Sequence, residues 1–389
     1  MNDRERFLAW MSFQQADRAP RGELGYWGGT IRRWYAEGLP KEEGLSDSVA
    51  WGDAVIGEMN PGTGSKIRDR DVRSYFGFDK GIDKIWFNNL ICPPFQEEVL
   101  EEHRNWVLKR TARGTLIKEH KERAGMPAVV SGPVSNREDW ERLKAERLQP
   151  TLEGRLPVNW ANQVPEYKAR DYPLFIGGPY NGFFGTLTDL VGRTELLYWY
   201  YDNPELVKDI INYLADFWIA LHDKILDQVD VDAASFWEDM CGKNGPLISP
   251  AMFREFMLPA YKKMTAFYRE RGIKIILADS DGDIWPLIPL WLEGGVTALY
   301  NFEVNAGMDV VEVRKAYPRL QIIGGLDKTK LAVGSEAIDA ELEAKVPLML
   351  RMGGYWPAVD GNVDPEVPWE NFCYYRRRLD AMIREASNG

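Results

Sequence analysis

The run "GIKIILADSDGDIWPLIPLWLEGGVTALYNFEVNAGMDVVEVRKAYPRLQIIGGLDK", residues 272–328, contains three short apolar stretches, each ending at an acid. Asp279, Glu303 and Asp327 follow one another at intervals of 24 and 24 residues. The segments between them carry helical spacing, as in "GMDVVEVRKAY". Strands separated by helices imply parallel pairing through right-handed crossovers, which places each acid at the C-terminal end of its strand.

The same alternation extends on both sides. Upstream lie "YPLFIGG" (172–178) and "VDVDAASFWED" (229–239), and downstream "GGYWPAVDG" (353–361). Helices are expected over "TELLYWYYDNPELVKDIINYLADFWIALHDKIL" (194–226) and "SPAMFREFMLPAYKKMTAFYRER" (249–271). Six strand-helix units occupy the second half of the chain, and "APRGELGYW" (19–27) and "MPAVVSG" (126–132) are candidates for two more. Eight units close a TIM (β/α)8 barrel, and 389 residues accommodate one barrel domain over 1–389 with N-terminal additions. A β-rich insertion is expected as an excursion around 40–125. Lys66 follows "GTGS" there, but without the spacing or the leading strand of a phosphate loop.

Composition excludes several function classes. A net charge of −11 and no clustered Lys or Arg argue against a nucleic-acid partner. The N-terminal "MNDRERFLAWMSFQQADRAP" is charged and amphipathic, and the chain has no apolar run of about eighteen residues, so a cytoplasmic protein without a membrane partner is expected. Three separated cysteines, Cys92, Cys241 and Cys373, with no CxxC, fit a reducing compartment better than a disulfide framework.

Barrel closure would gather the strand-end acids at one rim, where active sites of such folds are built. Glu238 and Asp239 after "VDAASFW", Asp281 and Asp283 after Asp279, and Asp360 after "GGYWPAV" would join them. Asp283 is well placed as a helix N-cap. Carboxylates this close raise one another's pKa, so a metal, retained protons or a cationic substrate must neutralise them. "DSDGD" is not an EF-hand calcium loop, since Ile284 and Leu290 stand where that loop requires Gly and Glu. The aromatics Trp27, Tyr180, Phe183, Phe184 and Trp237 could wall an apolar pocket, although core packing is the common fate of such side chains.

The 272–332 stretch, followed by "GGYWPAVDGNVDPEVPWENFCYYRRRL", resembles the uroporphyrinogen decarboxylase superfamily, which includes cobalamin-dependent methyltransferases. "GPLISPAMFREFMLPAYKK" and the opening "DRERFLAWMSFQQADRAPRGELGYW" are similar to the same layout, so the resemblance covers nearly the whole chain. It implies a TIM barrel. In the methyltransferases a His-x-Cys pair and a later Cys bind zinc. Asp279 and Asp281 stand at the pair's place here, so a bound metal, held by Asp279, Asp281 and Glu303, would be a harder ion or weakly held zinc. The Arg-rich segment that grips porphyrinogen carboxylates is replaced by "RGELGYWGGT" with Glu23, and the late family His by Gly361. An acidic rim disfavours a polyanionic porphyrinogen.

The resemblance implies a methyltransferase that moves a methyl group from a methylated small molecule, such as a methoxylated aromatic, to a corrinoid cofactor on a partner protein. Asp279, Asp281 and Glu303 are the catalytic candidates, with Glu238 or Asp239 in support. Two other readings stand beside it: a decarboxylase or lyase acting on a non-porphyrin acid, in which Lys328 would hold the carboxylate, and a binding member of the superfamily without chemistry.

Overall fold

A computed structural model of the chain describes residues 1–57, 67–121 and 127–388; Lys66 lies outside them. The strands that define the barrel are β1 (Gly25–Trp27), β2 (Asp83–Lys84), β3 (Leu174–Gly178), β4 (Ala233–Trp237), β5 (Ile275–Asp279), β6 (Ala298–Asn301), β7 (Gln321–Gly324) and β8 (Tyr355–Trp356). Of these, β1 lies in a separate three-stranded sheet with Ala54–Ile56 and Asn362–Val363, and the other seven share one sheet. From β2 to β8 the strands pair in chain order, every pair parallel, as one curled seven-stranded sheet. β1 runs parallel to Asn362–Val363, just beyond β8. The fold is a TIM-like barrel, and the six strands read from the second half of the chain are all present.

Two apolar layers follow from the period-two alternation of strand side chains. Phe175, Ile275, Leu277, Tyr300, Ile323 and Trp356 fill the interior, while Ile176, Ile276, Leu299 and Ile322 face the outer helices. The N-terminal helix Asp3–Met11, opened by an Asn2–Glu5 capping box, closes the lower end of the interior. Its Phe7 ring packs 5.8 Å from Phe175 and 5.9 Å from Trp356. Trp10 Nε1 donates to Tyr355 O at 2.6 Å, tying this plug to β8.

Glu23 has a structural task. It is wholly buried with Arg376 of the C-terminal helix, at 2.7 Å, and also accepts from the Val359 backbone N–H at 3.1 Å. The pair joins the start of the barrel to its end.

Two assignments from the sequence are corrected. "MPAVVSG" forms a strand, Ala128–Ser131, but it pairs antiparallel with Leu116–His120 in a separate four-stranded sheet with Glu98–Glu102 and Trp106–Arg110. The second barrel strand is Asp83–Lys84, inside the stretch assigned to the excursion. The β-rich part of that excursion therefore runs over 98–131. The helix expected over 249–271 contains a π turn, Phe253–Met257, before Leu258–Glu270. Pro259, which lacks an N–H, lies just past that turn and accounts for the break in the α ladder.

Candidate active site

The C-terminal ends of β3, β4 and β6 are held in strained backbone. Tyr180 (φ 63°), Asp239 (φ 44°), Asn301 (φ 84°) and Phe302 (φ 54°) all adopt the left-handed region, and all follow or end barrel strands. Such conformations persist where the surroundings over-determine them, and they re-aim side chains at a site. Asp279 needs no such device, because it continues the interior row of Ile275 and Leu277. Asp360 does the same above Trp356 and Ala358.

Asn301 turns its amide onto two carboxylates at the end of β5, Asp279 and Asp281. Its Nδ2 donates to Asp279 Oδ1 at 3.0 Å and to Asp281 Oδ1 at 2.8 Å. Asp279 is buried, and burial together with the Asp281 and Asp239 charges pushes its pKa well above the usual range. Asp281 is open to solvent at the mouth, yet protein crowds it closely enough that desolvation, reinforced by Asp239 and Glu303, raises its pKa to about 6. Burial also raises Asp239, which Arg193 partly compensates through an ion pair at 3.1 Å. Glu303 accepts from the Gly282 backbone N–H at 3.0 Å, fixing it against the Asp281 turn. Tyr300 packs beside Asp279 and is raised in turn, first by burial and then by that charge.

A second group adjoins the first. Asp360 accepts from Val304 N at 2.8 Å and from Lys328 N at 3.3 Å, and burial lifts it to about 6. Lys328 Nζ pairs with Asp364 at 3.3 Å, and Trp27 Nε1 donates to the same carboxylate at 3.1 Å. Trp237 and Tyr180 form an edge-to-face pair with ring centroids 6.2 Å apart on the β3–β4 side.

The structure thus gathers Asp279, Asp281, Asp239, Glu303, Asp360, Lys328, Trp27, Trp237 and Tyr180 around one mouth. It sends four other candidates elsewhere. Glu238 is fully buried and accepts from Phe183 N (2.9 Å), Phe184 N (2.6 Å) and Gly185 N (3.2 Å), with the Tyr261 hydroxyl donating as well. It caps the helix Phe183–Val191 from inside and has no lone pair facing the mouth. Phe183 packs between Trp218, Phe236 and Tyr261, and Phe184 is equally buried, so both are core. Asp327 caps the helix Lys328–Val333, accepting from Thr329 N at 2.9 Å.

Asp283 is not an N-cap. It accepts from Trp285 N at 3.1 Å in a local turn, and the helix begins only at Ile288.

The metal reading of Asp279, Asp281 and Glu303 does not fit. Among the described residues no three His, Cys, Asp or Glu side chains are grouped to hold a metal. Asn301 also occupies the space between the first two carboxylates with N–H donors, which suits anions and not a shared cation. Cys241 is buried, and desolvation raises its thiol to about 12. It offers no ready thiolate.

With this geometry in place, comparison with known proteins becomes specific. The model of the uroporphyrinogen decarboxylase family matches residues 117–375. The chain belongs to that family. A solved methyltransferase from Methanosarcina mazei is similar over 99% of both chains, with a TM-score of 0.58 and 15% identity, a likeness of fold. No curated protein matches the chain. Membership of the uroporphyrinogen decarboxylase family supports an enzymatic role. Among the described residues no helix is long and apolar enough to cross a membrane.

Strand-helix spacing pointed to the strand-end acids but not to Asn301, nor to Arg113, whose guanidinium carbon lies 4.0 Å over the Tyr180 ring. A polar residue ending "ALYN" was the available signal for the first. Nothing in the local sequence marks the second, because its contact spans 67 residues (from 113 to 180).

Proposed function

We propose that the protein is a methyltransferase that takes the methyl group of a methoxylated aromatic and passes it to a corrinoid carried by a partner protein. The observation that carries this reading is Asp281: open at the mouth, linked through Asn301 to a buried Asp279, and raised to about 6 by desolvation and by its acidic neighbours. A carboxyl group that keeps its proton near neutrality can serve as a general acid.

The corrinoid would supply the electron pair that accepts the methyl group. As the methyl–oxygen bond breaks, its electrons pass to the leaving oxygen, which takes the Asp281 proton. The released phenol then departs and solvent returns a proton to Asp281. Asn301 keeps the acid aimed, while Trp27, Trp237 and Tyr180 offer flat walls for the ring. Asp279, more deeply buried and also raised, keeps negative charge away from the leaving oxygen.

Anaerobic incubation of the full chain with reduced cobalamin and a panel of methoxylated aromatics and methylamines should yield methylated corrinoid. Asp281→Asn should lower the rate by about 10²- to 10⁴-fold, the usual worth of a general acid. In the unsubstituted protein the rate should also fall with rising pH above about 6. No transfer across the panel, or undiminished transfer by Asp281→Asn, would overturn the reading.

A decarboxylase or lyase reading draws on Lys328, a cation beside the raised Asp360. Its pairing with Asp364 weakens that case. Carbon dioxide release from an aromatic acid without methyl transfer would favour it.

A further inference from the structure

The four-stranded excursion reaches back to the barrel. In its turn between Trp106–Arg110 and Leu116–His120, Thr115 Oγ1 donates to Asp189 O at 3.1 Å and Arg113 Nε donates to Asp189 Oδ2 at 3.1 Å. Thr115 and Asp189 are both buried, so the turn is anchored to the helix Phe183–Val191. Arg113 itself stays partly open, its guanidinium carbon 4.0 Å from the Tyr180 ring centroid. Tyr180 stands edge-on to Trp237, the last residue of β4, and the register partner of Trp237 on β5 is Asp279. One arc therefore runs from Arg113 through Tyr180 and Trp237 to the Asp279–Asp281 pair. It crosses three neighbouring strand ends, a span of ~10 Å at the usual strand separation.

We propose that Arg113 is the anion-recognition residue of this mouth, and that the substrate is a methoxylated aromatic bearing one carboxylate. The carboxylate would meet Arg113, the ring would lie along Tyr180 and Trp237, and the methylated oxygen would face Asp281. The assignment of the oxygen end rests on the methyl-transfer reading; the anion end does not. A guanidinium has five N–H donors; Asp189 takes the one on Nε and the Tyr180 side chain also interacts with the group, which still leaves Nη donors over for a ligand. The Tyr180 ring contact and the Asp189 anchor together restrain the fork, which suits a carboxylate better than a flexible ammonium would. Each of the mouth cations has a carboxylate partner, but Arg193 pairs with Asp239 and Lys328 with Asp364 at the mouth, whereas Arg113 pairs through Nε with Asp189 of the helix Phe183–Val191. One recognising cation at one end and acids at the other select a monoanion over a polyanion.

The test is binding, by calorimetry or tryptophan fluorescence on the full chain at fixed ionic strength, of 4-methoxybenzoate against its neutral analogue 4-methoxybenzamide. The benzoate should bind about 10-fold more tightly, as a charge-assisted contact implies. That preference should disappear in Arg113→Gln, persist in part in Arg113→Lys, and be untouched in Arg110→Gln, a neighbouring exposed arginine of the same excursion. Thermal melting of each variant reports folding; should Arg113→Gln fail to melt cooperatively, Arg113→Lys against Arg110→Gln decides. Equal affinity for the two ligands, no binding of either, a preference that survives in Arg113→Gln, or one lost in Lys328→Gln instead, would overturn the proposal. Because methyl transfer is not the readout, a retained preference with no transfer would sink the catalytic reading alone. Transfer without the preference would sink this one alone.

Discussion

Asn301 occupies a backbone conformation that most side chains avoid, and it does so with one nitrogen between two carboxylates. Asn tolerates the left-handed region better than most residues, which is one reason this position can deliver an amide there. Two substitutions separate the backbone from the side chain. Asn301→Gly keeps the conformation at no steric cost but removes both hydrogen bonds, and should destabilise the protein at pH 8 by ~2 kcal/mol, the scale of hydrogen bonds to charged groups. Asn301→Ala should cost ~1 kcal/mol more, because a Cβ is strained at that φ. Urea denaturation at pH 8 measures both, and equal stabilities would show that the backbone is not strained. The acids themselves were legible in the sequence: period two carries the interior row Ile275, Leu277 on to Asp279, and the row Trp356, Ala358 on to Asp360. The amide between them was not, since a positive φ at a strand end takes Asn301 off the alternation that would otherwise locate it.

Glu238 shows how an element can claim an acid that the rim seems to offer. The helix Phe183–Val191 begins right after β3 with its first N–H groups pointing into protein and not to water. Those donors need an acceptor. Glu238 supplies it, and its carboxylate complements the positive end of the helix dipole. The approach depends on Gly182, where an added Cβ would stand 1.9 Å from Trp237 O and 3.1 Å from the Glu238 carboxyl carbon. With φ at −146°, the backbone there suits any residue, so the constraint is space alone. Gly182→Ala should therefore push the helix off its cap and lower stability by more than ~2 kcal/mol, through clash and stranded donors together. A thermal melt within a degree of the parent would refute this. Sequence reading failed here for a plain reason: the acid and the donors it satisfies are 53 to 55 residues apart. A different gap hid β2, a two-residue strand made of two charged residues, Asp83 and Lys84, and gave its place to "MPAVVSG", whose alternation reveals a strand but not which sheet it joins.

At the scale of the whole molecule, the acids that burial lifts at and beneath the mouth give stability a dependence on pH. Glu238 is raised from 4.5 to about 7, and Asp281 and Asp360 from 3.8 to about 6, each first by desolvation. Between roughly pH 4 and pH 7 the folded chain thus holds protons that the unfolded chain releases, so stability falls as pH rises through that window. Asp17 acts in the opposite sense at the acid end. Its hydrogen bond with Arg6 lowers it to about 2, so that contribution is lost as pH falls from about 4 to 2. Stability should peak between these windows, near pH 4 to 5, well below neutrality. Glu238, wholly buried, sets the larger part of the decline, ~3 kcal/mol for a shift of its size. Asp281, open to solvent, contributes less. Urea midpoints at constant ionic strength should accordingly be lower at pH 8 than at pH 5, and the difference should shrink in Glu238→Gln even where that variant is less stable at both. A flat or rising midpoint from pH 5 to pH 8 would mean that these carboxyl groups ionise freely in the folded protein. The mouth would then have no retained proton to give a leaving group.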